Sequence, residues 1–214
     1  MDVTQEQKKK IEELGTREWD DEAIAARVRK FASEGIPQKK LEKEYLIAHK
    51  AEILDSVQRK AEEYNYITKN CSQGTALALL DEFGMGSMEV IKGLMLYPGI
   101  GGTGDMCGGV TGTLVAFGLF FFGDDPLDLS KVGDLMFLAQ DFMAFFEGEI
   151  GYYYCADIQE KIIFGENMDP GSSEGNMNAF AAAKGFEKCG LPPGIGARLA
   201  AGFMIDNFDM RAKS

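Results

Sequence analysis

The residues of this chain best suited to chemistry are four cysteines: Cys71, Cys107, Cys155 and Cys189. Thiolate sulfur exchanges electrons and ligates soft metals. Four thiolates complete the ligand set of a tetrahedral zinc site or of an iron–sulfur cluster. The cysteines are far apart, with 35, 47 and 33 residues between them, and neither Cys-x-x-Cys nor Cys-x-x-Cys-His occurs. Zinc ribbons, thioredoxin-like motifs and c-type haem attachment therefore fail on spacing. The one histidine, His49, lies in a charged helical stretch and reads as a solvent-exposed or capping residue. Free cysteine is also a common small core residue, so spacing alone does not bring the four together.

The elements that must position them are helices. No alternating strand pattern of useful length occurs, and the expected architecture is all-α: a compact bundle with an N-terminal helical arm over residues 1–64 and a four-cysteine domain over 65–214. In the arm, Thr4 caps a helix running to Leu14, and Asp20 and Asp21 open a second. Pro37 suits the first turn of a long third helix reaching about Lys69, with Leu41, Tyr45, Ile53, Leu54, Val57 and Tyr64 at helical spacing. Its loose likeness to a helix-turn-helix is outweighed by its near-neutral charge. Packing on the core, or on a second subunit, is the expected role.

Beyond Lys69, Asn70 is a good N-cap for a helix from Cys71 to Phe83, ended by Gly84. A short helix from Ser87 leads into the glycine loop Gly99–Gly104. Apolar helices are expected over about 105–122 and 129–147, with the turn Gly123-Asp124-Asp125-Pro126 between them. Helices over about 153–164, 176–189 and 194–207 complete the chain. Cys71 and Cys107 then fall near helix starts, where the partial positive charge favours a thiolate, and Cys189 falls in a last turn, where it does not. Tyr152-Tyr153-Tyr154 places an aromatic wall before Cys155. The Phe residues of 117–122 and 137–146 read as core or subunit interface. Asp124-Asp125 and Asp20-Asp21 read as turn and cap residues.

Asn70-Cys71-Ser72-Gln73 and Gly104-Asp105-Met106-Cys107-Gly108-Gly109-Val110-Thr111-Gly112 resemble a redox-active protein family named for a pattern of four cysteines, C_GCAxxG_C_C. Its second cysteine stands in a Cys-Gly-Ala-x-x-Gly motif. The third matches Cys155 within Gly151-Tyr152-Tyr153-Tyr154-Cys155-Ala156-Asp157, and the fourth matches Cys189. The resemblance covers roughly residues 65–208 and leaves the arm outside. Gly109 stands where the family usually has Ala. The cysteine-containing domain of split-Soret cytochromes looks similar, and there an iron–sulfur centre is the suggested role. This chain has no haem attachment motif.

The resemblance implies a helical redox module with one site. Cys71, Cys107, Cys155 and Cys189 are the expected ligands of a 2Fe–2S or 4Fe–4S cluster, serving electron transfer or redox sensing. Gly101, Gly102, Gly104 and Gly108 are expected to wrap the site and donate backbone N–H groups. Two alternatives stay open. One is a metal-free dithiol–disulfide protein, with Cys71 and Cys107 reactive and Cys155 and Cys189 resolving. The other is an interaction module, zinc-stabilised or metal-free. Phosphate binding by the glycine loop has little support, since its spacing matches neither the P-loop nor the dinucleotide fingerprint.

Net charge is −12; residues 1–64 hold 13 basic and 15 acidic residues, and the remainder 9 and 19. An acidic body repels phosphate backbones and anionic headgroups, so neither nucleic acid nor a membrane surface is an expected partner. A redox partner protein is implied, and abundant apolar helix surface points to a homodimer. The longest apolar run, near 110–122, is too short to span a bilayer. With a polar start and separated cysteines, the expectation is a cytoplasmic protein, or a periplasmic one if an export signal was removed.

Overall fold

A computed structural model describes residues 4–211. Among them are helices and turns and no strand; the one extended pairing is an antiparallel bridge between Met106 and Tyr154. The arm comprises α1 (Gln5–Thr16), α2 (Asp21–Glu34), α3 (Lys43–Ala48) and α4 (Lys50–Thr68). Thr4 opens α1 with a reciprocal capping box: its hydroxyl accepts from the Gln7 N–H, and the Gln7 side chain accepts from the Thr4 N–H. Asp20 caps α2 by accepting from the Ala23 N–H.

The single helix expected from Pro37 is absent. Residues 37–42 form no helix, because Lys39 is engaged elsewhere. Its backbone N–H donates to the Gly84 carbonyl, and its ammonium donates to the carbonyls of Asp81 and Glu82. A cation there also meets the negative end of the helix those carbonyls terminate. His49 marks the break between α3 and α4, stacked on Tyr45 at 4.1 Å.

The rest comprises α5 (Cys71–Phe83), α6 (Met88–Gly93), the glycine turn α7 (Gly99–Gly102), α8 (Gly108–Phe121) and α9 (Val132–Ile150). Then come α10 (Cys155–Asp157), which runs into a π turn over Ile158–Ile163, and α11 (Glu174–Ala182), α12 (Gly185–Lys188) and α13 (Leu191–Asp206). The helix expected over 176–189 is broken at Lys184, which takes a left-handed φ of 56°.

Helices α5, α8 and α13 pack on one another at the centre. They are apolar nearly all round, as central helices must be. Leu77, Leu79, Leu80, Phe121, Ala200 and Met204 are fully buried. α4 covers α5 and α13 from one side, and α9 covers α8 and α13 from another. The arm shares this core, contributing Leu14, Val57, Ala61 and Tyr64 to the same apolar cluster. Phe117, Phe120, Phe121, Phe142 and Phe146 are core, as expected, whereas Met136, Phe137 and Phe145 lie exposed on the outer side of α9. No helix among the described residues is long and apolar enough to cross a membrane.

Candidate four-cysteine site

Each cysteine sits at a helix end. Cys71 is the first residue of α5, behind Asn70, whose side chain accepts from the Gln73 N–H and donates to the Met95 carbonyl. Cys107 is the N-cap of α8, its carbonyl accepting from the N–H groups of Val110 and Thr111. Cys155 opens α10. Cys189 does close the short α12, as the sequence implies, but it also stands two residues before the 16-residue α13. No backbone N–H opposes the rise of the Cys189 thiol, unlike those of Cys71 and Cys107.

Two devices bring these ends together. The first is the absence of side chains. A Cβ at Gly108 would lie 2.2 Å from Cys71 Sγ and 2.5 Å from the Ser72 nitrogen. One turn on, a Cβ at Gly112 would lie 2.5 Å from the Ser72 carbonyl oxygen. α5 and α8 therefore touch backbone to backbone at their starts, where the hydroxyls of Ser72 and Thr111 share a 2.9 Å hydrogen bond. Gly109 works the same way against α13: an added Cβ would meet the Pro192 carbonyl oxygen at 2.7 Å. Here the Gly that departs from the family's Ala is the residue that fits.

The second device is a short backbone ladder. The Cys107 N–H donates to the Tyr153 carbonyl at 2.9 Å, the Cys155 N–H to the Asp105 carbonyl at 2.7 Å, and the Ala156 N–H to the Gly104 carbonyl at 2.9 Å. This ladder spends residues 105 and 106, so α8 starts at Gly108 and not at Asp105 as its composition implies. Asn65 of α4 ties in the last cysteine's turn by donating to the Phe186 carbonyl at 3.0 Å.

Electrostatics show that the four share one neighbourhood. Burial pushes the Cys71 thiol up to about 12; Cys155 adds to the shift, and the N–H groups of Gly108, Cys71 and Ser72 oppose it. Burial raises Cys107 well above the ordinary thiol range, followed by Cys71 and Cys155, against the Gly109 N–H, with Cys189 adding less. Cys189 is raised by burial, then by Cys155 and Cys71. Cys155 is raised by burial and Asp169 and lowered by the Gln159 side chain. Cys107 thus feels the other three, Cys189 feels Cys155 and Cys71, and Cys71 feels Cys155. The helix-start advantage expected for thiolates at Cys71 and Cys107 is real in direction, but desolvation outweighs it. All four cysteines are free thiols. Among the described residues, no three His, Cys, Asp or Glu side chains are gathered as a cage for a single metal ion.

The predicted glycines divide. Gly108 lies against Cys71, and Gly104 lies against Ala156, beside Cys155. Gly102 faces Gly171 of the following loop, and nothing lies within 4 Å of a Cβ placed on Gly101. Gly99 faces the site although the sequence did not single it out: its Cβ position is 3.6 Å from Cys155 Cβ. Gln159 was missed too. It is buried, and its Nε2 lies 3.3 Å from Cys155 Sγ. The available signal was an uncharged polar residue next to an isoleucine, four positions after a cysteine. His49, stacked on Tyr45, does not join the site.

A family model described as "Putative redox-active protein (C_GCAxxG_C_C)" matches residues 69–191. The chain belongs to this family. The matched stretch starts one residue before the Asn70 cap and ends at the first residue of α13, so it spans all four cysteines and both devices that assemble them. The arm helices α1–α4 precede it. No curated protein and no solved structure matches the chain.

Proposed function

We propose that the protein holds an iron–sulfur cluster through Cys71, Cys107, Cys155 and Cys189 and serves in electron transfer or redox sensing. The observation that carries this reading is that four different helix ends bring four thiols, Cys107 buried and the other three half-buried, close enough for their charges to interact. The donor set fits such a group. Four thiols, one from each of four helix ends, are the number and kind of ligand that such clusters take. When bound, the cluster supplies a site that gains and loses one electron without any bond in the chain being broken.

The chain's own part is to hold the sulfurs and to stabilise the charge on them. Backbone N–H groups of Ser72 and Gly108 face Cys71, and that of Gly109 faces Cys107. Desolvation makes the empty thiols hard to ionise, so a cation must offset the cost of four thiolates. The same upward shift weighs against disulfide exchange, whose attacking sulfur needs a lowered pKa.

The test is anaerobic purification, with iron and sulfide assays and a visible spectrum. The expected result is iron matched by sulfide and broad absorption near ~400 nm, lost in each single Cys→Ser variant while helical circular dichroism persists. Wild-type protein that stays iron-free after anaerobic reconstitution sinks the cluster.

A further inference from the structure

Cys155 differs from Cys71 and Cys107 in what faces its sulfur. Backbone N–H groups face those two, whereas at Cys155 it is the Gln159 amide, with Nε2 3.3 Å from Sγ. Gln159 is 3% exposed, between the buried Ile158 and Ile162. The backbone around it is not ordinary α-helix: α10 lasts three residues and gives way to the π turn over Ile158–Ile163. Such widened turns recur where a helix re-aims a side chain at a functional site.

A primary amide among isoleucines is costly unless both its ends are bonded. Both are, since Oε1 accepts the Met168 N–H at 3.1 Å. That second bond decides which end of the amide meets the sulfur. A backbone N–H only donates, so the oxygen must face Met168 and the NH2 group must face Cys155. The fold therefore supplies, at this one thiol, a side-chain donor that is locked in its role.

We propose that Gln159 is a positioning residue of the site, holding the Cys155 sulfur as a hydrogen-bond acceptor and stabilising negative charge on it. The contact acts on any negatively charged sulfur, thiolate or ligand; its effect on a potential rests on the cluster reading. A donor aimed at a ligating sulfur favours the more negative, reduced state and raises the potential. The electron of that couple comes from the titrating reductant, and no bond of the chain changes.

Two variants separate this role from simple tethering of the 165–172 loop. Gln159→Met removes both hydrogen bonds at similar length. Gln159→Glu, at pH values where its carboxyl is ionised, keeps an oxygen for the Met168 N–H and turns an acceptor instead of a donor toward sulfur. In reduced, metal-free protein, iodoacetamide alkylation of each cysteine is followed by mass spectrometry across pH. Both variants are expected to slow Cys155 about tenfold at a given pH and to leave Cys71, Cys107 and Cys189 at wild-type rates. In iron-loaded protein, spectroelectrochemical titration is expected to show both midpoints lowered by the same tenfold shift in equilibrium, about 59 mV for one electron. An unchanged Cys155 rate in Gln159→Glu overturns the proposal, whether or not Gln159→Met is slowed, because any remaining effect then belongs to the loop. If no iron loads, the alkylation rates still decide the role of Gln159, so its failure and that of the cluster are told apart.

Discussion

The arm face and the cysteine end are both helix against helix, but different chemistry closes them. On the arm face, long side chains reach across. Glu62 of α4, its side chain 2% exposed, is held at 3.0 Å by Lys10 of α1 and at 2.7 Å by Arg17, the residue that follows α1. Arg27 of α2 reaches Glu63 at 2.9 Å. Between these helices a cavity of about 680 Å³ remains, lined by charged residues of both signs. At the cysteine end no ion pair among the described residues spans the crossing of α5, α8 and α13. Gly108, Gly109 and Gly112 let backbones touch, and the hydrogen bonds that place Cys107 and Cys155 are made by main-chain atoms. A seam of long side chains can re-form around a substitution, whereas a backbone contact has no slack.

The sharpest way to break this comparison is Gly108→Ala. Its new methyl would occupy the space of Cys71 Sγ, forcing α5 and α8 apart at the one point where the thiols are set. The expected loss is about 3 kcal/mol, toward the upper end for overpacking, read by chemical denaturation, together with loss of iron uptake. A variant of wild-type stability that still loads iron would show that the crossing has slack after all.

On the other side, Arg17→Ala leaves Glu62 with one cation, Lys10, beside the Gln58 amide, and strips the guanidinium from the face of Trp19, 4.6 Å away. The expected cost is about 2 kcal/mol, less than for a fully orphaned buried charge, and iron uptake stays at the wild-type level. A large drop in iron content here would mean that the arm helps to shape the site.

The smallest effects are in the pH limbs. Glu13 is held down to about 2 chiefly by the Arg17 hydrogen bond, although burial opposes this. A lowered carboxylate contributes stability above its unfolded value near 4.5, and that stability fades as pH falls toward 2. The thiols run the other way. Raised by burial, they contribute stability to metal-free protein below the ordinary thiol value of 9.0, and it fades as pH climbs toward the Cys71 value near 12. Thermal melts across pH should therefore show an acid limb removed by Arg17→Ala and an alkaline limb that iron loading removes, since ligated sulfurs carry no proton to lose. An alkaline limb that is the same with and without iron would separate it from the cysteines.

Much of this was legible in the sequence because caps and breakers act locally. Thr4, Asp20, Asn70 and Gly84 begin or end helices where their chemistry requires. The four cysteines were visible as a set only through the family pattern, because periodicity does not report that Cys71 meets Cys107 across 35 residues. The misreadings share one cause, a partner far along the chain. Residues 37–42 looked helical until Lys39 found the end of α5, and 105–106 looked helical until they met 153–154. Gln159 needed a π turn, which no spacing of apolar residues announces.

One further consequence belongs to spectroscopy. The chain has a single tryptophan. Trp19 lies in the connection between α1 and α2, stacked on Tyr66 of α4 at 4.4 Å and with the Arg17 guanidinium over its ring. Its near-ultraviolet emission is thus a built-in optical gauge of how α1 and α2 dock on α4. A red shift would mark the seam opening, even while visible absorption tracks events among the sulfurs, so the two halves of the molecule carry separate colours.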